Sequence, residues 1–109
     1  MSSAQFNALK AIYPAAECWS EGGCELAFIP GVSIQAVGGP VKVDLLLHPH
    51  AKDSYDTRLF VNRKVAETKG LNWNAHTVCG ETWWACSWQG VKAHLPWVQI
   101  LANHLRAFL

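Results

Sequence analysis

The run VKVDLLLHP, residues 41–49, constrains this chain more than any other stretch. Val41, Val43, Leu45 and Leu47 recur at every second position, which is the period of a β-strand and cannot form one face of a helix. Gly38-Gly39-Pro40 turns the chain into it and Pro49 closes it, so the strand has punctuated ends. A strand this apolar needs partners. CELAFIPG supplies one, with Cys24, Leu26 and Phe28 alternating against Glu25 and Ala27, introduced by Gly22-Gly23 and ended by Pro30-Gly31. VSIQAV extends that strand or forms the next short one, and TRLFVN, after the polar HAKDSYD, reads as another.

Helices are expected at both ends. Ser2 and Gln5 have the form of a capping box, and Phe6, Leu9 and Ile12 follow at helical spacing. Pro14 pushes Tyr13 out of helical geometry, so this helix covers about residues 3–12. The closing segment PWVQILANHLRAFL has Pro96 in the first turn and a stripe of Trp97, Ile100, Leu101, His104, Leu105 and Phe108. Residues 63–77 show weak periodicity and read as a long surface loop. The predicted architecture is α+β: an N-terminal helix, an antiparallel sheet of three or four strands, a long irregular segment, and a C-terminal helix on the same sheet. That irregular segment carries Cys79, Cys86 and four of the six tryptophans, and long ordered loops are usually functional.

With 109 residues the chain is one domain, residues 1–109. Half of it is hydrophobic and 16% is charged, against an average of about 25%. The core is therefore well supplied, and the lightly charged surface suggests a partner over part of it. A net charge of +1 with no run of like charges longer than two residues points to no nucleic-acid or membrane partner. The start of the chain lacks a signal-peptide pattern and no apolar run reaches the ~20 residues that span a bilayer. The expectation is a cytoplasmic protein with Cys18, Cys24, Cys79 and Cys86 reduced.

The stretch VCGETWWACSW leaves several uses open for Cys79 and Cys86: a metal site, a disulfide, two inert core thiols, or a nucleophile with a bystander. A disulfide does not suit a reducing compartment. Zinc prefers Cys-x2-4-Cys pairs, whereas six residues separate these two, and the ligand-like His48 and His50 are expected to point apart at a strand end. Cys86 has small neighbours, Ala85 and Ser87, that leave room for an incoming chain, but Trp84 and Trp88 flank it and free cysteine is often buried. The tryptophans serve either as core or as an apolar docking surface.

ALKAIYP at residues 8–14 resembles the helix-ending motif of the RWD domain, a non-catalytic relative of the ubiquitin-conjugating enzymes. The segment VDLLLHPHAKDSYDTRLFV resembles a strand-loop-strand unit of the same superfamily. His76, Cys86 and Pro96 stand at two successive intervals of ten residues. Those are the spacings that separate the family's histidine motif, its catalytic cysteine and the proline opening the next helix. With the Pro30-Gly31 turn and the Gly80-x-x-Trp83 element, the chain is similar to the short prokaryotic branch of the UBC/RWD-like superfamily. Members of that branch stand in bacterial operons beside a ubiquitin-like protein, an activating enzyme and a peptidase, and several such operons act against phage.

This resemblance implies a bacterial ubiquitin-conjugating enzyme. It would accept a ubiquitin-like protein as a thioester on Cys86, or on Cys79 as runner-up, and transfer it to an amine of a protein target. It implies His76 as a brace of the active-site segment and His94 as a group that could orient the attacking lysine. Gln5, Asn7 and Lys10 on the first helix would meet the adenylating enzyme, and no metal or small cofactor is implied. The family's proline and asparagine after the histidine are Thr77 and Val78 here, so oxyanion stabilisation would pass to His94, Asn72 or Asn74. The two C-terminal helices of the eukaryotic enzymes are expected to be absent. Many relatives in the short branch have tryptophan where Cys86 stands. The alternative is therefore a non-catalytic, RWD-like protein-binding module.

Overall fold

The structure is a computed structural model that describes residues 3–109. It runs α1 (Ser3–Ile12), β1 (Glu17–Glu21), β2 (Cys24–Ala36), β3 (Gly39–His48), β4 (Arg58–Val61), β5 (Trp73–Val78), β6 (Glu81–Cys86), α2 (Trp97–Leu105) and a final 3-10 turn, Arg106–Phe108. The fold is α+β as expected, but the sheet has six strands, all antiparallel, in the order β1-β2-β3-β4-β6-β5. One expectation needs correcting: the stretch 73–86 is not an irregular segment but a hairpin. Residues 17–21, for which no element was expected, form an edge strand.

The VSIQAV segment continues β2 through a shift of register between Ile29 and Val32, where Pro30-Gly31 adds residues to one strand only. Gly31 has φ +62 and gives its N–H to Asp44 Oδ1 at 2.8 Å, which fixes this β-bulge to β3. α1 stops where Pro14 required: the Tyr13 N–H still bonds to Leu9 O, and Lys10 Nζ then donates to the carbonyls of Pro14 and Ala16. Ser2 of the expected capping box lies outside the described residues. Gln5 Oε1 instead serves the other helix, accepting the N–H of Trp97 at 3.1 Å.

The sheet buries both faces. Leu9 of α1 and Trp97, Ile100 and Leu101 of α2 cover one face, packing with Ile29, Val43, Leu45, Leu47 and Val61. The alternate residues Leu26, Leu46, Phe60, Val78, Trp83 and Ala85 form a second core on the opposite face, where no helix lies. That face is covered because the sheet curls. The turn after β5 reaches back to β1 at the far edge, with the Cys79 N–H donating to Glu21 Oε1 at 3.0 Å. Trp19 stacks on Phe28 at 4.3 Å, and both rings stand edge-on to Trp83 at 6.3 and 6.1 Å. The β4–β6 junction has a single residue pair, Val61 with Trp84, and a sparse ladder there lets the hairpin fold inward.

The β5–β6 turn has φ +51 at Cys79 and +78 at Gly80, the signature of a type I′ hairpin. Cysteine is not a preferred left-handed residue, whereas Asn tolerates that region. Cys79→Val is therefore expected to cost about 2 kcal/mol by forcing a β-branched residue into it. Cys79→Asn should stay within about 0.5 kcal/mol of the wild type. Urea unfolding of the two variants checks this.

Candidate functional site

Strand alternation decides what surrounds the two candidate thiols. Along β6, Trp83 and Ala85 point into the core on the helix-free face, so Trp84 and Cys86 must point to the helix side. Cys86 pairs across the hairpin with Trp73 and joins the cluster that holds Leu9, Val61, Val65, Val91 and Trp97. Trp73 and Trp88 pack against that cluster, and Trp88 is fixed by its Nε1–H donating to Asn103 O at 3.0 Å. Cys86 is 9% exposed. Burial pushes its thiol up to about 11; its own backbone and the Arg58 charge pull the other way, and Glu67 adds to the rise. At neutral pH about one molecule in 10⁴ would carry the thiolate, the form that attacks.

Cys79 sits in the turn, half-buried, with Sγ donating to Ser20 O at 3.7 Å. Burial raises its thiol above the ordinary value, and the carboxylates of Glu21 and Glu81 raise it further. Neither cysteine has the electropositive surroundings that activate a nucleophile.

The structure does not bring the predicted site residues together. His76 pairs with Trp83 in register and shares its face, so it lies on the opposite side of the sheet from Cys86 and cannot brace the thiol directly. His94 is exposed in the loop before α2. Among the described residues no hydrogen bond or ion pair joins Cys86, His76 and His94. On α1, Asn7 is exposed, whereas Gln5 and Lys10 also bond within the chain. Of the residues considered for an oxyanion, Asn72 gives its N–H to Ser87 Oγ at 3.0 Å, and Asn74 pairs with Ala85.

His48 and His50 also depart from expectation. Residues two apart on a strand share a face, so alternation gives no reason for these two to point apart; β3 ends at His48, and the rings meet edge-to-face at 5.7 Å. Each ring is held by a backbone carbonyl: His48 Nδ1 lies 2.9 Å from His50 O, and His50 Nε2 lies 3.0 Å from Glu25 O. No group of three or more His, Cys, Asp or Glu side chains among the described residues is arranged to hold a metal ion.

A polar cluster missed in the sequence lies on the helix-free face. Arg58 is 4% exposed, with its guanidinium 4.0 Å from the centre of the Tyr55 ring and 3.7 Å from Asp53 Oδ2. His76 Nδ1 is also 3.7 Å from Asp53 Oδ2, and its ring stands edge-on to Phe60 at 5.4 Å. Burial and then the Arg58 charge hold the His76 ring below its usual value despite Asp53, a shift that favours the neutral ring. Its Nε2 and the Nε1 of Trp83 are buried with no hydrogen-bond partner. Asp53 and Ser54 take left-handed backbone, φ +53 and +71, to turn the chain into β4. The available signal was alternation: a strand that sends Leu59 and Val61 to the helix side must send Arg58 with Phe60 to the other. This cluster holds an arginine inside the fold through ring stacking and a shared carboxylate.

No family model, no curated protein and no solved structure matches the chain.

Proposed function

We propose that the chain is a non-catalytic protein-binding module of RWD-like type. One observation carries this reading: the thiol at the position of a conjugating cysteine lies inside the core cluster, and burial raises it to about 11. Transthiolation requires a sulfur that a protein-sized thioester can approach. The cross-strand partner of Cys86 is the Trp73 ring, and Trp88 packs on the same cluster, so the space an incoming C-terminal tail would use is filled.

The rival reading, a bacterial ubiquitin-conjugating enzyme charged at Cys86, draws on one structural observation. Pro96 opens α2 ten residues after Cys86, its carbonyl accepting the first helical bonds from Gln99 and Ile100.

One experiment separates the two. The protein is mixed with a candidate adenylating enzyme, its ubiquitin-like protein and ATP, beside Cys86→Ala and Cys79→Ala, and run on a non-reducing gel. Native thiol labelling by a water-soluble disulfide reagent is followed in parallel. The expected result is no thiol-sensitive adduct, with Cys86 labelled at least ~100-fold more slowly than the exposed Cys18. An adduct lost only in Cys86→Ala would establish the conjugating enzyme and end the proposal.

A further inference from the structure

β1 does not accompany β2 along its length. Their pairing ends at Glu17 with Phe28, so residues 29–36 of β2 are bonded to β3 alone. On the other side the α1–β1 connection swings away, turned by the Ala16 N–H bonding to Tyr13 O. Between this connection and β2 lies a groove of about 560 Å³, walled by residues 12–15 and 30–35 and floored by Ala102, Leu105, Arg106 and Leu109. Six consecutive strand residues can face one groove only if it runs along their backbone edge, since their side chains alternate.

An open strand edge is a template for another strand, and natural proteins blunt such edges with proline, charge or bulges. Here the Pro30-Gly31 bulge guards only the beginning. From residue 32 to 36 the sequence is VSIQA, without proline or charge. Of the three large hydrophobic side chains that stand exposed among the described residues, Ile12 and Leu109 line this groove.

Charge selects the occupant. Arg106 is the one ionisable cation of the lining; no Asp or Glu side chain lines the groove, the main-chain oxygen of Leu109 already accepts from Lys69 Nζ, and Arg106 makes no ion pair among the described residues. The Lys42 side chain lies at Gly31, where an added Cβ would meet its Cε at 3.4 Å. A second copy of this chain would bring the same uncharged edge and the same cations against these, without complementary charge. We infer that the β2 edge takes an extended segment of another protein as an added strand. Its apolar side chains alternate with acidic ones that face Arg106, in the β-augmentation mode of peptide recognition. The five residues 32–36 span about 17 Å, enough to seat some five residues of the segment. This inference rests on the protein-binding reading above and names the partner class for it.

The probe is a capped synthetic hexapeptide of alternating Glu and Val, titrated into ¹⁵N-labelled protein. Three comparators are used: the same peptide N-methylated at alternate residues, a Lys-Val peptide, and the Arg106→Glu variant. Arg106 is exposed, so that variant leaves the core intact. The expected result is a Kd on the order of 10⁻⁴ M, with amide exchange slowed at alternate residues within 32–36. Neither comparator peptide should bind, and Arg106→Glu should weaken binding about tenfold. Absence of shifts at millimolar peptide overturns the proposal. So do equal shifts from the N-methylated peptide, which would mean side-chain capture without strand addition. A concentration-dependent dimer protecting the same amides would make a second copy the occupant and likewise overturn it. A failed titration with Cys86 inert removes only the groove assignment, whereas a charged Cys86 removes the non-catalytic reading however the peptide behaves.

Discussion

Phe60→Ala is expected to cost about 3–5 kcal/mol of folding free energy, among the largest effects of any single truncation here. The residue is fully buried although it faces away from both helices. In a flat sheet with helices on one side only, such a position would look into solvent and the same change would cost well under 1 kcal/mol. The prediction therefore tests the curl directly. Phe60 packs with Leu26, Leu46, Val78, Trp83 and Ala85, while the Trp19–Phe28 stack covers them. It also forms part of the apolar surroundings of Arg58 and His76, so its removal leaves a cavity beside groups that cannot fill it. Phe60→Leu should recover most of the loss, costing about 1 kcal/mol, because it keeps much of the volume. Urea unfolding of both variants against wild type is the measurement. A cost below 1 kcal/mol for Phe60→Ala would show that the helix-free face is not closed.

How much of this was legible beforehand depended on whether the signal was local. β3 was, since its alternation is long and its ends are marked by Gly39-Pro40 and Pro49. α2 was also legible: Trp97, Ile100, Leu101 and His104 are buried as their spacing required. The β5–β6 hairpin was not. WNAHTV sets Trp73, Ala75 and Thr77 on one face against Asn74, His76 and Val78 on the other, so each face mixes polar with apolar residues, and only Val78 is fully enclosed. Its register comes from β6 and from a contact with β1, nearly sixty residues earlier in the chain. The same distance effect hid the burial of Cys86. Its neighbours Ala85 and Ser87 suggested room, but a strand sends neighbours to opposite faces, so their small size says nothing about the space around the thiol. Once 81–86 is a strand, Trp73 across the hairpin decides the matter. His76 was displaced by the same logic, since ten residues along a hairpin with a two-residue turn bring it opposite Trp83, one step out of phase with Cys86.

Lowering the pH from 7 to 5 is expected to narrow the stability gap between wild type and His104→Gln by about 2 kcal/mol. His104 is 4% exposed, and burial, followed by the Arg58 charge, lowers its ring from 6.5 to about 4. The Thr57 hydroxyl donates its one proton to Val91 O at 2.8 Å, so it can only accept from His104 Nε2, also at 2.8 Å. The native state therefore holds the neutral ring with its proton on Nε2. The sign follows from proton counts. Between about pH 4 and 6.5 the unfolded chain binds a proton at this position that the folded chain does not, so stability rises with pH across that window. It is lost as pH falls through it, reaching about 3 kcal/mol near pH 4. His48 and His76 are also lowered by burial and add loss of the same sign, so the comparison with His104→Gln is needed to isolate one ring. Urea midpoints for both proteins at half-unit pH steps give the difference. Parallel curves would mean that His104 titrates normally and that the His104–Thr57–Val91 bridge between α2 and the start of β4 is open in solution. A converging pair, with the ¹⁵N shifts of the Nε2–H tautomer at pH 7, would show that a polar chain inside an apolar helix interface holds α2 on the sheet. Acid would then loosen α2, whose C-terminal end floors the β2 groove, so peptide capture at that edge should weaken over the same pH window.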